Sequence, residues 1–361
     1  MLMKFGFPDV DVWSSLPKLD TPIPPSPFKS EALCKFYNFT MKGSTPLSIA
    51  IIYFTSIHYM NEVVRKRQLR KRQANEEKSR NGGGGASGAS GGATLSKSLP
   101  AAPWPIARTF PFKLFVLLHN IFLCIYSIWT FIGITTAIAS TMDIFRFDLI
   151  PKFFQNINNE NYTFAKLDVF FQSICDSRYG IFSRLITSSK GLHNLEILGY
   201  WFYISKFYEV LDTIVILVKG RPSSLLQSYH HAGAMMCMWA GVRYQSPPIW
   251  IFVVFNSFIH SLMYFYFTLS CLHIRVPTLA KKILTSLQIT QFVVGGSIAI
   301  LHCFVWISDL SLGDKIEEIR LISCIASPNQ ALPILINVAY LTPLTALFAI
   351  FYVESYFKKK T

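Results

Sequence analysis

Apolar and polar positions along this chain alternate on a scale of tens of residues. Seven apolar stretches, at approximately 46–63, 112–139, 196–218, 223–240, 248–272, 283–304 and 332–352, are separated by segments rich in charge, proline or glycine. A helix needs about 20 apolar residues to cross about 30 Å of hydrocarbon, and most of the seven reach that length. The fourth is short and contains His230 and His231. The pattern predicts an all-α fold, a polytopic membrane protein with seven transmembrane helices.

The segments between the stretches orient them. Arg65, Lys66, Arg67, Arg70, Lys71 and Arg72 directly follow the first stretch, which predicts a cytosolic loop there and a lumenal N-terminus. Counting forward, the segments at Lys219/Arg221, at Arg275/Lys281/Lys282 and at the tail Lys358-Lys359-Lys360 are cytosolic, and all are basic. Loop 306–330, with Asp309, Asp314, Glu317 and Glu318, is lumenal. The sequons at Asn38 and Asn161 fall on the lumenal side, where glycans are added. Lysines at the third and fourth positions from the end, Lys359 and Lys358, form a dilysine retrieval signal for the endoplasmic reticulum membrane, readable only from a cytosolic C-terminus.

The chain divides into a lumenal segment 1–45, a first transmembrane helix 46–63, a basic linker 64–109, a membrane domain 110–353 and a tail 354–361. Residues 82–92 are glycine, alanine and serine only, too little apolar surface to fold, so the linker is expected to lack fixed structure over most of its length. The first forty residues, with Pro22, Pro24, Pro25 and Pro27, lack the compact apolar core of a cleaved signal peptide. The first stretch is therefore expected to serve as an uncleaved membrane signal.

Composition agrees with a bilayer. Of 361 residues, 51% are hydrophobic and 15% charged, with 31 Phe and 16 Tyr; a soluble domain carries about 25% charged residues. The net charge of +14 lies in segments flanking the stretches, which fits membrane orientation and excludes a basic face for nucleic acid. Of the seven cysteines, none forms a CxxC pair. Cys175 and Cys324 fall in lumenal loops, where an oxidising compartment permits a disulfide.

Four consecutive stretches each carry a polar stripe. Lys206, Glu209 and Asp212 recur every three residues, as do Thr285, Gln288 and Gln291; Gln227 and His230 are three apart, and Asn256 and His260 four apart, with Tyr264 a turn further on. Such stripes either glue helices together or wall a shared chamber, since ionisable groups at that depth are expensive. A seven-span receptor or transporter with a polar pocket fits the same pattern. Adjacent histidines lie about 100° apart on a helix, so His230 and His231 are expected to differ in role, with Gln227 sharing a face with His230. The chain has eight histidines, of which His58, His119 and His193 stand apart, and no HxxxH spacing; iron ligation by histidine boxes is not expected. With no serine elbow or reactive cysteine motif, neutral imidazole becomes the candidate nucleophile, able to take an acyl group from a thioester.

The four stripes resemble the signatures of the ELO family of very-long-chain fatty acid elongases. Lys206, Glu209, Asp212 and Thr213 match KxxExxDT, and His230 and His231 match HxxHH. His260, Met263, Tyr264 and Tyr266 match HxxMYxYY, and Thr285, Gln288 and Gln291 match TxxQxxQ. The run Tyr229–Met236 followed by Trp239-Ala-Gly looks like fungal members. Two positions depart: Gln227 replaces the first histidine of its box and Phe267 the last tyrosine.

The resemblance implies a six-helix catalytic domain over 110–353 around a narrow chamber open to the cytosol. It implies condensation of acyl-CoA with malonyl-CoA to a 3-oxoacyl-CoA, two carbons longer, with CO2 and CoA released and no metal or redox cofactor required. His230 would carry the acyl group, helped by His260, Asn256 and His231. Lys206, Glu209, Asp212, Gln227, Tyr264, Gln288 and Gln291 would line the substrate site, and Lys219, Arg221 and Arg275 would meet CoA phosphates. The implied partners are the ketoacyl reductase, dehydratase and enoyl reductase of the elongation cycle, and a homodimer is compatible.

Overall fold

The computed structural model describes residues 3–15, 17, 21–81, 99–155, 165–184, 195–310 and 320–357. The glycine-rich run 82–92, the sequon at Asn161 and the tail lysines Lys358 and Lys359 lie outside the described residues.

Helices α1 (Val10–Trp13) and α2 (Glu31–Thr40) precede the long α3 (Ser44–Asn81). Helix α4 (Phe110–Ile144) passes through a π-helical turn, Phe145–Leu149, into α5 (Ile150–Gln155), and α6 (Lys166–Cys175) follows. The remaining helices are α7 (Leu195–Tyr208), α8 (Val210–Val218), α9 (Leu225–Arg243), α10 (Ile249–Cys271), α11 (Thr278–Leu301) and α12 (Pro328–Tyr356). Local chemistry sets several of their ends. Ser224 and Ser327 cap α9 and α12 by accepting from the backbone N–H groups of Gln227 and Gln330, and Pro328 occupies the first turn of α12, where its missing donor is harmless.

Five helical segments are long and apolar enough to cross a membrane: Ser44–Arg80, Phe110–Lys152, Ile249–Cys271, Thr278–Phe304 and Pro328–Tyr356. The chain is a polytopic membrane protein. Of the seven spans expected, five are met among the described residues on length and composition. The third stretch is interrupted at Glu209, which separates α7 from α8 and leaves pieces of 14 and 9 residues. The fourth forms one 19-residue helix whose apolar run is broken by Gln227, Ser228, His230, His231 and Arg243.

Contacts between neighbours close a ring in which α4 packs on α10, α10 on α11, α11 on α12, α12 on α9, α9 on α7, and α7 on α4. Helix α3 stands outside and packs against α9 and α8, where Ala50, Tyr53, Ile57 and Val64 meet Met235 of α9 and Leu217 of α8. Helix α3 also differs from expectation by running on through Arg65–Asn81, because Lys, Arg, Gln, Glu and Ala are all good helix formers. Gln68 of this extension and Asn61 one turn before it tie α3 to the Gly220–Ser223 turn through Gly220 O (3.0 Å) and Ser223 O (2.9 Å). Gly220 has φ +72, and a Cβ there would collide with the Ala102 backbone at 2.1 Å, so the turn requires glycine.

The expectation of a purely helical chain needs one correction. A small antiparallel sheet of order β1-β2-β3 joins β1 (Met3–Phe5), β2 (Val305–Ser308) and β3 (Leu321–Ser323). It pairs Met3 with Ile307 and Trp306 with Ser323. At the same end Cys175 and Cys324 are joined in a disulfide with Cα atoms 4.8 Å apart. Arg243 donates to the carbonyls of Thr21 and Pro22, and Arg184 to Glu196 and the Pro25 carbonyl, so the segment 21–28 is strapped across this disulfide end of the ring.

Candidate active site

The polar stripes converge inside the ring. Lys206, 2% exposed, donates to Glu209 Oε1 (2.7 Å) and to Asn256 Oδ1 on α10 (2.9 Å), with its ammonium 4.0 Å from the centre of the Phe202 ring. Ser205 also donates to Glu209 Oε1 (3.2 Å). The second oxygen of Glu209 is buried with no hydrogen-bond partner among the described residues, and His260 Nε2 lies 3.7 Å away. His260 Nδ1 is 2.9 Å from the Asn256 carbonyl. A carbonyl only accepts, so Nδ1 carries the proton and Nε2 of the neutral ring is left to exchange one.

The rings of His230 and His260 lie nearly parallel, 26° apart with centroids 6.3 Å apart. His230 Nδ1 lies 2.9 Å from the Tyr340 hydroxyl of α12. His231 is buried and does not share this arrangement: its Nε2 is 2.8 Å from Gln227 Nε2. Gln227, expected to share a face with His230 while His231 points aside, bonds His231 instead. Residues four apart on a helix are offset by about 40°, residues three apart by about 60°, and the closer pair bonds.

Asp212 and Tyr264, expected to face substrate, face each other; the Tyr264 hydroxyl donates to Asp212 Oδ2 (2.6 Å) and Tyr264 is fully buried. The other oxygen of Asp212 accepts from His119 Nε2 (2.8 Å), and His119 Nδ1 meets the Tyr208 hydroxyl (3.2 Å). His119 was set apart in the sequence because it fits no ligand set. The cost of burying an ionisable ring in an apolar stretch, which singled out His230, applied equally to it. Tyr340 left no such sign, because a tyrosine in an apolar stretch is unexceptional until its hydroxyl has a partner.

Gln288 donates weakly to Met263 Sδ (3.7 Å), while Gln291 turns toward the disulfide end. There it lines, with Asn256, Phe252, Phe255, Ile334 and Asn337, a mostly apolar pocket. Gln291 Oε1 and Asn337 Oδ1 have no hydrogen-bond partner among the described residues. Lys219, Arg221 and Arg275 are exposed at the opposite end of the ring, at the close of α8 and between α10 and α11. Asn38 is exposed on α2. Among the described residues no group of three His, Cys, Asp or Glu side chains is placed to hold a metal ion.

This arrangement can hold an acyl group on an imidazole beside a proton-handling ring, and an apolar pocket lies beyond Asn256. The GNS1/SUR4 family model of ELO proteins matches residues 38–361. The chain belongs to the ELO family. Among relatives, fatty acid elongase 2 of Trypanosoma brucei brucei is 28% identical over 166 residues, 45% of this chain and 58% of that protein. Very long chain fatty acid elongase 6 of Drosophila melanogaster is 33% identical over 124 residues, 33% of this chain and 39% of that protein. Human very long chain fatty acid elongase 3 is 31% identical over 118 residues, 33% of this chain and 43% of that protein. The matched parts thus span between two fifths and three fifths of these relatives. No solved structure matches the chain.

Proposed function

We propose that this ELO protein condenses malonyl-CoA with a long-chain acyl-CoA to give a 3-oxoacyl-CoA. The observation that supports this reading most is the parallel pair of imidazoles, His230 from α9 and His260 from α10, beside the buried Lys206–Glu209 pair.

In the first half-reaction His230 Nε2 attacks the thioester carbonyl. The carbon–sulfur bond breaks, the acyl group stays on the ring as an acyl-imidazolium, and the CoA thiolate takes a proton and leaves. His260, held by Asn256 through Nδ1–H and with Nε2 facing Glu209, is the group placed to relay that proton: its bare Nε2 takes one from solvent and passes it to the thiolate. In the second half-reaction malonyl-CoA loses CO2, its carbanion attacks the acyl carbon, and neutral His230 is released. Lys206 holds Asn256 and Glu209 in position and fixes the chamber wall. His231 with Gln227 braces the α9 end of the site. The cavity behind Asn256 takes the acyl tail, and Lys219, Arg221 and Arg275 at the open end meet CoA phosphates.

In this reading the broken α7–α8 pair and α9 also cross the bilayer, giving seven transmembrane helices with the disulfide end lumenal and the basic end cytosolic. The protein resides in the endoplasmic reticulum membrane. Its product would pass to a ketoacyl reductase, a dehydratase and an enoyl reductase.

Incubating purified protein with palmitoyl-CoA alone tests the mechanism. Free CoA should be released in a burst and an acyl adduct found on His230. His230→Ala should reduce burst and condensation by about 10³-fold or more, the scale of losing a covalent nucleophile. A full burst in that variant would refute the covalent route.

A further inference from the structure

Tyr340 is buried at 6% exposure, and its hydroxyl makes two close contacts with one residue: 2.9 Å to His230 Nδ1 and 3.0 Å to the His230 carbonyl. A phenol has one proton. If the hydroxyl donated to Nδ1, its oxygen would face the carbonyl oxygen lone pair to lone pair at 3.0 Å. If it donates to the carbonyl, it is free to accept from Nδ1–H, and both contacts become hydrogen bonds. Only the ring with its proton on Nδ1 satisfies both, and that ring presents Nε2 as an unprotonated nitrogen.

The placement of Tyr340 is itself enforced. Its ring lies on Gly233, where a Cβ would stand 2.2 and 2.3 Å from Tyr340 Cε2 and Cδ2. The Tyr229 ring stacks 5.7 Å away, and its hydroxyl donates to the Tyr340 carbonyl (3.3 Å). The side chain is pinned on α9 by a missing methyl and a neighbouring aromatic.

We propose that Tyr340 is a positioning residue that locks His230 in the tautomer whose Nε2 attacks the acyl thioester, with Gly233 as the site that admits it. This rests on the covalent reading above. The lock acts in both half-reactions. With Nδ1–H retained, attack at Nε2 yields a cationic acyl-imidazolium, a better acyl donor than the neutral adduct. When the carbanion takes the acyl group, the electron pair returns to Nε2 and the original tautomer is restored without a proton transfer at Nδ1.

The test uses the full chain in lipid nanodiscs, with palmitoyl-CoA as probe. Tyr340→Phe keeps the ring and removes only the hydroxyl. It should slow the CoA burst about tenfold or more, the scale of one hydrogen bond lost from a transition state. Gly233→Ala, which displaces the ring and leaves the hydroxyl, should act in the same direction. Tyr229→Phe should leave the burst at the wild-type rate. A structural role would not move the second readout, the 15N shifts of the His230 ring in histidine-labelled protein, assigned by their loss in His230→Ala. Wild type should show a protonated Nδ1 and a bare Nε2, and Tyr340→Phe an averaged pair. A wild-type burst in Tyr340→Phe, or a protonated Nε2 in the unsubstituted protein, overturns the lock while a silent His230→Ala leaves the covalent reading standing. A burst surviving in His230→Ala overturns both.

Discussion

Two regions of this molecule hold elements together by opposite means. In the polar cluster, side chains reach between helices: Lys206 to Asn256, Asp212 to His119 and Tyr264, Tyr340 to His230. In the cap at the disulfide end, backbone does most of the holding. Strand β1 joins β2 across the chain, Arg243 and Arg184 grip backbone carbonyls, and one covalent bridge links α6 to the segment after β3. The family match begins at residue 38, so β1, α1 and the strap at 21–28 lie outside it. The cluster ties its position to chemistry, whereas the cap ties the N-terminal segment and the stretch before α12 to a ring that already closes on itself.

The largest expected effect comes from the buried ion pair. Lys206→Met strands Glu209 without its cation, and breaking such a pair is destabilising by about 3–5 kcal/mol. The variant should lose condensation activity and melt at lower temperature in detergent. The sharper experiment removes both charges, Lys206→Met with Glu209→Leu. An apolar replacement of a whole buried pair is often neutral, so the melting temperature should recover while activity does not. A double variant that both folds and condenses would make the pair a mere lock between helices, and the two regions would then differ in material rather than in role.

An intermediate effect is expected at the cap. Cys175→Ala with Cys324→Ala opens a loop of 149 residues, and loss of a native disulfide costs about 2–5 kcal/mol. Thermal stability should fall by that order while the CoA burst of the molecules still folded keeps its wild-type rate. A slowed burst would mean that the cap shapes the cavity around Gln291 and Asn337, and the division between the regions would fail.

The cluster was more legible in the sequence than the cap, for a physical reason. Helical periodicity places Lys206, Glu209 and Asp212, or Asn256 and His260, on one face from spacing alone, and burial cost marks them as special. Periodicity is silent about partners on other helices, so His119 was passed over and Tyr340 unseen. It also blurs choices between neighbouring offsets, and Gln227 bonded the histidine four residues on rather than three. The apolar stretches located the helices but not the break at Glu209, which lies inside the third stretch with no glycine or proline to mark it. In the cap, the pairing of Cys175 with Cys324 followed from loop position. Strand β1 had no signature: Met3–Phe5 is three residues long and pairs with Val305–Ser308, about three hundred residues away, too short for alternation to register.

The smallest expected effect separates two ways of holding the strap. Arg243 spans two carbonyls with its forked guanidinium, Nη1 to Pro22 and Nη2 to Thr21. A lysine keeps the charge but is a single point donor that cannot meet both in that geometry. Arg243→Lys should therefore release about one hydrogen bond, on the order of 1 kcal/mol, and the release should be local. Amide hydrogen exchange of residues 21–28 should quicken about fivefold, with melting temperature and CoA burst unchanged, because the ring contacts of α7, α9 and α12 are untouched. Phe28 packs against Tyr37, Tyr200 and Trp201 with ring centroids between 5.3 and 6.3 Å, an anchor independent of the arginine. If exchange over 21–28 stays at the wild-type rate in Arg243→Lys and quickens in Phe28→Ala, the strap is held by aromatic packing. The cap would then rely on side chains as the cluster does, and the contrast between the regions would narrow to the sheet and the disulfide.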